Sequence, residues 1–172
     1  MIPLISTLKE LTYLKAVIKE TADALIAEAG VTLEYKIGTM VETPRAALVG
    51  GQVGAEAEFI SYGTNDLTQM TFGFSRDDAG KFLKEYAAKG ILPNDPFAAV
   101  DQEGVGQLVE MCTKNAKAAN KDIIVGVCGE HGGEPTSIDF FHRAGLNYVS
   151  CSPFRIPVAI ISAAQAEMRN RK

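Results

Sequence analysis

The sequence contains no tryptophan, two histidines, three cysteines and no long run of apolar residues. A transmembrane helix needs about 20 consecutive apolar residues, so no contact with a membrane is predicted. The N-terminal segment also lacks the basic region and apolar stretch of a signal peptide. Cys112, Cys128 and Cys151 are irregularly spaced, which favours neither a disulfide framework nor a zinc site. We therefore expect a cytoplasmic, reducing location, although a plastid or another organelle stays open for a longer protein.

Clusters of basic residues are missing as well. The formal net charge is -4 and no block of like charges occurs, so the sequence predicts no binding to nucleic acid. The apolar fraction of 47% and the charged fraction of 22% are typical of a globular protein with a core. A chain of 172 residues is long enough for one domain, or for most of one.

Short apolar segments alternate with helical patterns along the chain, which predicts an α/β fold with a parallel sheet. We expect helices at 44–48, 78–88, 105–119 and 157–168, one from Ser6 or Thr7 to Gly30, and one capped by Thr136 or Ser137. We expect strands at 1–5, 36–41, 59–62, 123–127 and 148–151. A complete (β/α)8 TIM-type barrel takes about 250 residues. We therefore expect a partial barrel, strands 4 to 8 with their helices, as a single domain over 1–172 that is truncated at its N-terminus.

Two acidic residues follow neighbouring strands of this predicted sheet. Glu42 comes directly after the strand at 36–41, and Asp66 lies four residues after the strand at 59–62. Parallel strands end at the same rim of a sheet, so both carboxylates are expected there. Two such oxygen ligands suit a hard cation such as Mg²⁺ that keeps several waters. Either residue taken singly is more often a helix cap, but as a pair they favour the metal.

Small and nucleophilic residues occur at the same rim. Gly63, Thr64 and Asn65 form a turn whose backbone N–H groups favour an oxyanion, although an ordinary turn explains them too. Cys128 ends the strand at 123–127 and could transfer a proton, or it could be a buried structural cysteine. His131 could line the site. The local sequence leaves these alternatives open.

The remaining polar and aromatic residues are less informative. His142 is expected to be structural and Cys112 to lie in the core. Three arginines are either anion clamps or ordinary surface residues: Arg45, Arg76 and Arg155. Three phenylalanines form either a lid over the site or core packing, with core preferred for the last of them: Phe72, Phe74 and Phe82.

Four longer stretches resemble one known family. The stretches are IGTMVETPRAAL, SYGTNDLTQMTFGFSRDD, GVCGEHGGEP and YVSCSPFRIP, in that order. Together they resemble the C-terminal phosphoenolpyruvate/pyruvate-binding barrel of the pyruvate, phosphate dikinases, within the PEP-utilising enzyme family. Phosphoenolpyruvate synthase and the first enzyme of the sugar phosphotransferase system are wider relatives. The resemblance covers essentially the whole chain.

The resemblance implies a role for each rim residue. Glu42 and Asp66 would bind Mg²⁺, and both would also contact the substrate. Gly63, Thr64 and Asn65 would contact phosphoenolpyruvate (PEP) or pyruvate, and Cys128 would protonate the enolate at carbon three. The implied reaction interconverts ATP, pyruvate and phosphate with AMP, PEP and diphosphate. A homodimer formed through the barrel is also implied.

Some parts of the family's machinery have no counterpart in this sequence. The first three barrel strands with their two phosphate-binding arginines are missing, as are the phosphohistidine and ATP-grasp domains. We therefore expect the isolated chain to be inactive in the full reaction, because phosphoryl transfer needs its charge clamp. Two alternatives remain: a non-catalytic split-gene or oligomerisation module, and another Mg²⁺-dependent barrel enzyme acting on a keto acid. The second fits Cys128 and the SPFR segment poorly.

Overall fold

Four short parallel strands form the sheet of this chain. The structure is a computed structural model, and it describes residues 1–171. The strands are β1 (Thr39–Val41), β2 (Phe59–Gly63), β3 (Ile124–Cys128) and β4 (Tyr148–Val149). Their spatial order follows their order in the chain, with every neighbouring pair parallel. Sequential parallel strands joined through helices are the arrangement of a β/α barrel, so the α/β prediction is confirmed and a partial barrel is consistent with it.

Helices connect and flank these strands. Their bounds within residues 1–171 are α1 (Leu8–Ala29), α2 (Pro44–Leu48), α3 (Gly50–Glu56), α4 (Thr64–Phe72), α5 (Arg76–Ala88), α6 (Val105–Ala119), α7 (Pro135–Arg143) and α8 (Ile156–Asn170). Two 3-10 turns lie at Glu130–Gly133 and Pro153–Arg155. The prediction of a single N-terminally truncated domain over 1–172 stays a prediction.

The expected first strand at 1–5 is wrong. Only Ile2 pairs with the sheet, in an isolated parallel bridge to Thr39 on the free side of β1. Pro3 has no N–H to donate to a neighbouring strand, and Leu4 has a left-handed backbone with φ of 52°. The backbone therefore turns out of the strand direction after one bridge. The N–H of Leu4 is directed instead to the carboxylate of Glu42.

The other strand predictions differ in length. The expected strand at 36–41 shrinks to Thr39–Val41, because the N–H of Ile37 donates to the Glu58 carboxylate rather than to a strand. The strand expected at 148–151 covers only Tyr148–Val149. By contrast, β2 and β3 each extend one residue further towards the rim than predicted, to Gly63 and Cys128.

The helix predictions succeed where the capping signals are local. Thr7 caps α1 in a capping box with Glu10, and Gly30 ends the helix in a left-handed conformation. The expected cap at Thr136 or Ser137 is wrong. Glu134 caps α7 by accepting their backbone N–H groups, since Pro135 occupies the first helical position, where no N–H is needed.

The outer face of the sheet packs on α6. Val41, Tyr62 and Val127 share one row of the register and are fully buried. The Tyr62 hydroxyl donates or accepts a hydrogen bond at 2.7 Å from the Thr113 hydroxyl. Cys112 lies in this core, as predicted, and burial raises the pKa of its thiol to about 11. This packing leaves the opposite face of the strands, here called the inner face, turned away from α6.

Two helices display large apolar side chains to solvent. The exposed residues of α1 are Tyr13, Leu14, Val17, Ile18 and Leu25, and those of α8 are Ile156, Val158, Ile160, Ile161 and Met168. Phe154, just before α8, is 96% exposed. Apolar surfaces of this kind commonly mark sites of association. None of the helices in residues 1–171 combines the length and hydropathy needed to cross a membrane.

We predict that the 172-residue chain self-associates in solution and melts at a low temperature. The edge beside Ile2 and the edge of β4 are both unpaired within residues 1–171, and open edges promote association. Adding a polypeptide with the first three barrel strands should raise the melting temperature, because a partner that binds only the folded form stabilises it. Sedimentation velocity and differential scanning calorimetry measure the two effects.

A pair of lysine substitutions on α8 tests whether its exposed apolar face causes the association. Ile161→Lys should weaken self-association, whereas Gln165→Lys, on an already polar exposed position of the same helix, should not. A monodisperse monomer that melts cooperatively without any partner would contradict this prediction.

Candidate functional site at the carboxyl ends of the strands

One row of residues crosses the rim of the sheet. Val41 pairs with Tyr62, and Gly63 pairs with Cys128. Glu42 follows Val41 and therefore lies beside Gly63. Paired residues of parallel strands point to the same side, and successive residues alternate. Since Tyr62 faces α6, the side chains of Glu42 and Cys128 lie on the inner face, on either side of Gly63.

Gly63 leaves the space that the Glu42 carboxylate occupies. A methyl group on Gly63 would overlap Oε2 of Glu42 and crowd its Cβ at 2.8 Å. Any side chain at this position would therefore displace Glu42. The glycine is required by the close approach of a carboxylate, which the local sequence does not reveal.

Glu42 is a buried carboxylate without a capping role. It is 2% exposed, and its Oε1 accepts the N–H of Leu4 at 2.7 Å. Thr43, the next residue, caps α2 by accepting the N–H of Ala46, so the alternative that Glu42 caps this helix fails. Burial raises the pKa of Glu42 and the nearby Asp66 carboxylate raises it further, against the opposing hydrogen bond from Leu4.

Asp66 meets Glu42 at this rim. It is the third residue of α4, and its carboxylate is near enough to raise the pKa of Glu42. No group of three or more histidine, cysteine or acidic side chains within residues 1–171 is arranged to hold a metal ion. Two protein carboxylates nevertheless fit Mg²⁺, which commonly takes one or two carboxylates and completes its shell with water and substrate oxygens.

The start of α4 presents backbone donors beside these acids. Gly63 precedes the helix and supplies no side-chain cap, so no side chain binds the first N–H groups of α4, and uncapped helix starts of this kind favour anions. The turn expected at Gly63 to Asp66 is thus the end of β2 and the first turn of a helix. The Asn65 Oδ1 atom is buried and has no hydrogen-bond partner among the described residues. An amide oxygen only accepts, so the group that would satisfy it is a donor or a cation and not an anion.

Cys128 lies at the same rim, half-buried at the end of β3. Its thiol donates a weak hydrogen bond to the carbonyl of Tyr62, with a sulfur–oxygen distance of 3.6 Å. Burial raises the pKa of the thiol, the charges of Glu42 and Asp66 raise it further, and a contact with Ser61 opposes them. The thiol is therefore protonated at neutral pH, which is the state that a proton donor needs.

The structure brings the predicted rim residues together, but Thr64 differs from expectation. Its side chain is fully buried, with Oγ1 at 2.7 Å from Nδ1 of His131 and 3.2 Å from the carbonyl of Cys128. Thr64 as a whole is buried, so among the residues of this turn Asn65, which is partly exposed, is the one placed to meet a ligand. Sequence reasoning missed the inward hydrogen bonds of His131 and the contact of Leu4 with Glu42, since neither follows from a local pattern.

The remaining predicted residues lie outside this row. The Arg45 guanidinium binds the carbonyl of Ser6, and the stem of Arg155 packs over Gly133. His142 forms a 3.6 Å ion pair with Glu167 when it is protonated. Phe82 is only partly buried and contacts the rings of Phe74 and Tyr86, so the expectation that it belongs to the core is wrong. Phe72 stacks on Phe74 at 5.0 Å in the same aromatic group.

A cavity of about 890 Å³ lies at the other end of the sheet. Two of its lining lysines are already paired: Lys15 binds Glu56 at 3.0 Å, and Lys19 binds Asp23 at 2.8 Å. It lies near Ile37 and Glu58, before β1 and β2 begin, and lacks the carboxyl ends at which parallel sheets place their chemistry. The rim of Glu42 and Cys128 is therefore the stronger site.

Comparisons with known proteins agree with this geometry. Residues 1–168 match the family described as "PEP-utilising enzyme, PEP-binding domain". The chain is 60% identical over 165 residues to "Pyruvate, phosphate dikinase, chloroplastic" of Flaveria bidentis, covering 96% of this chain and 17% of that protein. It is 56% identical over 171 residues to "Pyruvate, phosphate dikinase" of Clostridium symbiosum, covering 99% of this chain and 20% of that protein.

These relatives are much longer than the chain. The 58% identity to "Pyruvate, phosphate dikinase 1, chloroplastic" of Arabidopsis thaliana again covers 17% of the relative. The chain spans about a fifth or less of the length of the curated relatives it matches. The match to the PEP-binding domain along nearly its whole length, with a parallel sheet whose carboxyl rim gathers two acids and a thiol, shows that this chain belongs to the PEP-utilising enzymes.

Proposed function

We propose that this chain carries the metal-binding and proton-donor half of the pyruvate/PEP site of a pyruvate, phosphate dikinase. The observation that carries the proposal is the row formed by Glu42, Gly63 and Cys128 across three parallel strands, with Asp66 beside Glu42. Identities of 56–60% to dikinases over nearly the whole chain support the assignment. The reaction of the whole protein would interconvert ATP, pyruvate and phosphate with AMP, PEP and diphosphate.

Glu42 and Asp66 would hold Mg²⁺ in this proposal. Two neighbouring carboxylates, one of them buried, repel each other unless a proton or a cation compensates their charge. The raised pKa of Glu42 is the sign of this repulsion and of burial. A bound Mg²⁺ would supply electrostatic stabilisation of the enolate oxygen.

The start of α4 would orient the carboxylate of the substrate. The backbone N–H groups of Thr64 and Asn65 have no side-chain cap to bind, and the helix dipole favours an anion at this end. The NH₂ group of the Asn65 side chain, in the first turn of the same helix, would donate a further hydrogen bond to this carboxylate. Gly63 would act by leaving room for Glu42, rather than through any group of its own.

Cys128 would be the acid that acts on the enolate. Its proton would pass from Sγ to carbon three, the carbon–carbon double bond would become the single bond of pyruvate, and the thiolate would remain. In the opposite direction the thiolate would remove a methyl proton. Its position across Gly63 from Glu42 places acid and metal ligands on the same inner face.

The rest of the reaction would require other protein segments. The proposed partners are the first three barrel strands with their phosphate-binding arginines, and the phosphohistidine and ATP-grasp domains. The chain alone should form no PEP from pyruvate, ATP and phosphate. A homodimer through the barrel is consistent with the apolar faces of α1 and α8. The cytoplasmic location stays a prediction, because the plant relatives are named chloroplastic and the bacterial relative is not.

A non-catalytic oligomerisation module is the second candidate function. The exposed apolar side chains of α1 and α8 favour it. Such a module would have no need of a buried Glu42 beside Asp66, or of a glycine that makes room for the Glu42 carboxylate. It would associate without binding Mg²⁺ at Glu42, so metal binding separates the two candidates.

We predict that Glu42→Gln and Asp66→Asn each weaken Mn²⁺ binding to the 172-residue chain, with Mn²⁺ serving as a paramagnetic substitute for Mg²⁺. Each change removes one of two ligand charges, so the affinity should fall by at least about tenfold. Electron paramagnetic resonance measures the free ion. Glu110→Gln, at an exposed acid on α6, is the control. Equal affinity in the wild type and in both rim variants would disprove the metal site.

We predict that Gly63→Ala also reduces Mn²⁺ affinity, by about tenfold or more, although it removes no ligand atom. The added methyl group would displace the Glu42 carboxylate. Gly80→Ala is the matched control, because a methyl group there meets open space on α5. The same Mn²⁺ titration distinguishes them. Unchanged binding by Gly63→Ala would mean that Glu42 does not hold the ion from its observed position.

We predict that Cys128→Ala abolishes exchange of the pyruvate methyl protons in a barrel reconstituted with the missing strands. Loss of the acid should slow deuterium uptake from D₂O by about a hundredfold or more, measured by proton NMR. Mn²⁺ affinity should change by less than about twofold, since no ligand is removed. Cys151→Ala is the control. Exchange at the wild-type rate would assign Cys128 to a structural role.

A further inference from the structure

His131 is a buried titratable residue that the proposed function leaves unused. It lies in the 3-10 turn at Glu130–Gly133, three residues after Cys128, and is fully buried. Its Nδ1 atom is 2.7 Å from the Thr64 hydroxyl, and its Nε2 atom is 2.9 Å from the carbonyl of Pro96. Both ring nitrogens are therefore satisfied by segments that are distant in sequence.

The partners of the ring determine its tautomer. The carbonyl of Pro96 can only accept, so Nε2 carries the proton and donates it. Nδ1 then has only a lone pair, and the Thr64 hydroxyl must donate to it. Burial lowers the pKa of His131, which keeps the ring neutral and this direction intact. The hydrogen bonds thus run from Thr64 to His131 and from His131 to Pro96.

This chain of hydrogen bonds joins two parts of the proposed site. Thr64 is the first residue of α4, two residues before Asp66, and its Oγ1 is 3.2 Å from the carbonyl of Cys128. The single proton of the Thr64 hydroxyl has two acceptors within reach, Nδ1 of His131 at 2.7 Å and the Cys128 carbonyl at 3.2 Å. The shorter contact is the one to His131, whose Nδ1 has no proton of its own to offer. The ring therefore holds the start of α4 against the end of β3, and it anchors both to the loop at Pro96.

Gly129 brings the turn after Cys128 close to the start of α4 without placing a side chain between them. Gly129 has φ of 98°, and a methyl group on it would lie 3.3 Å from both Asn65 side-chain atoms and from Oγ1 of Thr64. The turn after Cys128 therefore passes close against the first turn of α4 with no side chain of its own between them. Within this packing, the His131–Thr64 hydrogen bond at 2.7 Å is the shorter of two polar contacts between the segments, the other being that of Thr64 with the Cys128 carbonyl at 3.2 Å.

We propose that His131 is a positioning residue: by accepting the hydrogen bond of Thr64, it places the first N–H groups of α4 to bind the carboxylate of the substrate. This inference rests on the proposed function, since it assigns the residue that prepares the same site. His131 touches neither metal nor substrate in this proposal. Its effect should appear in the binding of the anion and much less in the binding of the metal.

Two amide substitutions separate the two hydrogen bonds of the ring. In His131→Asn the side-chain oxygen can take the place of Nδ1 and accept from Thr64, while the bond to Pro96 is lost. In His131→Gln the side-chain amide can take the place of Nε2 and donate to Pro96, while the acceptor for Thr64 is lost. A purely structural role would make both variants similarly defective.

The test uses the full 172-residue chain loaded with Mn²⁺, and oxalate as a dianion that resembles the enolate of pyruvate. Isothermal titration calorimetry measures the affinity for oxalate. His131→Gln should lose about tenfold or more in this affinity, as is usual when a supporting hydrogen bond is removed. His131→Asn should stay much closer to the wild type, and Mn²⁺ affinity without oxalate should change by less than about twofold in both. Equal losses in the two variants, or a loss confined to Mn²⁺, would overturn the inference.

Thr64 provides a second pair of variants if His131→Gln does not fold. Thr64→Val removes the donor at nearly constant shape and should reproduce the loss of oxalate affinity, whereas Thr64→Ser should retain most of the affinity. Nitrogen-15 NMR of the wild type should show a neutral His131 protonated at Nε2. Protonation at Nδ1, or full oxalate affinity in Thr64→Val, would overturn the inference.

The outcomes also separate this inference from the proposed function. If the wild-type chain binds neither Mn²⁺ nor oxalate, the proposed function fails and the inference fails with it. If the wild type binds both and His131→Gln binds them equally well, the proposed function stands and His131 is not a positioning residue.

Discussion

The close approach of the Glu42 carboxylate to the backbone of Gly63 depends on one register of the parallel sheet. Because Val41 pairs with Tyr62 and Gly63 pairs with Cys128, the acid, the glycine and the thiol fall on one row of the inner face. A shift of one residue would exchange the inner and outer faces of a strand. The buried row on α6 prevents this, since Tyr62 forms hydrogen bonds there that no neighbouring residue could replace.

Electrostatics at the rim oppose folding and favour a ligand. Glu42 is buried next to Asp66, and a single backbone N–H from Leu4 compensates only part of the cost. Burial raises the pKa of the Cys128 thiol, and the same two charges raise it further. A cation between the carboxylates would remove the repulsion. It would also lower the pKa of the Cys128 thiol, because a nearby positive charge favours the thiolate. In the proposed function, a metal bound by Glu42 and Asp66 would therefore also change the acidity of Cys128.

The helices on the outer side of the sheet are closely packed where two of them lie against each other, and exposed elsewhere. The faces of α3 and α6 approach so closely that a methyl group on Gly54 would collide with the backbone of Ala116. By contrast, α1 and α8 leave large apolar side chains in solvent, including Ile160 and Tyr13. The rim residues thus lie on a well-packed centre, β1 to β3, while the two sides of the sheet retain surface suited to further contacts.

Local signals in the sequence predicted much of this organisation. The capping box of Thr7 and the apolar spacing of Val105–Ala119 gave correct helices, because both depend on residues within a few positions of one another. The alternation of strands and helices likewise predicted that Glu42 and Cys128 lie at one rim, since parallel strands end on the same side.

Local patterns failed where a distant segment decides the conformation. The strand predicted at 1–5 breaks at Leu4, whose N–H binds Glu42, 38 residues away. The ring of His131 is turned inward because it bonds Pro96 and Thr64, which are far from it in the sequence. The bond to Thr64 also holds the start of α4, within the segment predicted as a turn. The sequence by itself thus determined the order of the elements and the residues at the rim. Only the tertiary structure decided which buried atoms face one another, because hydrogen bonds and close contacts between distant segments form after those segments pack.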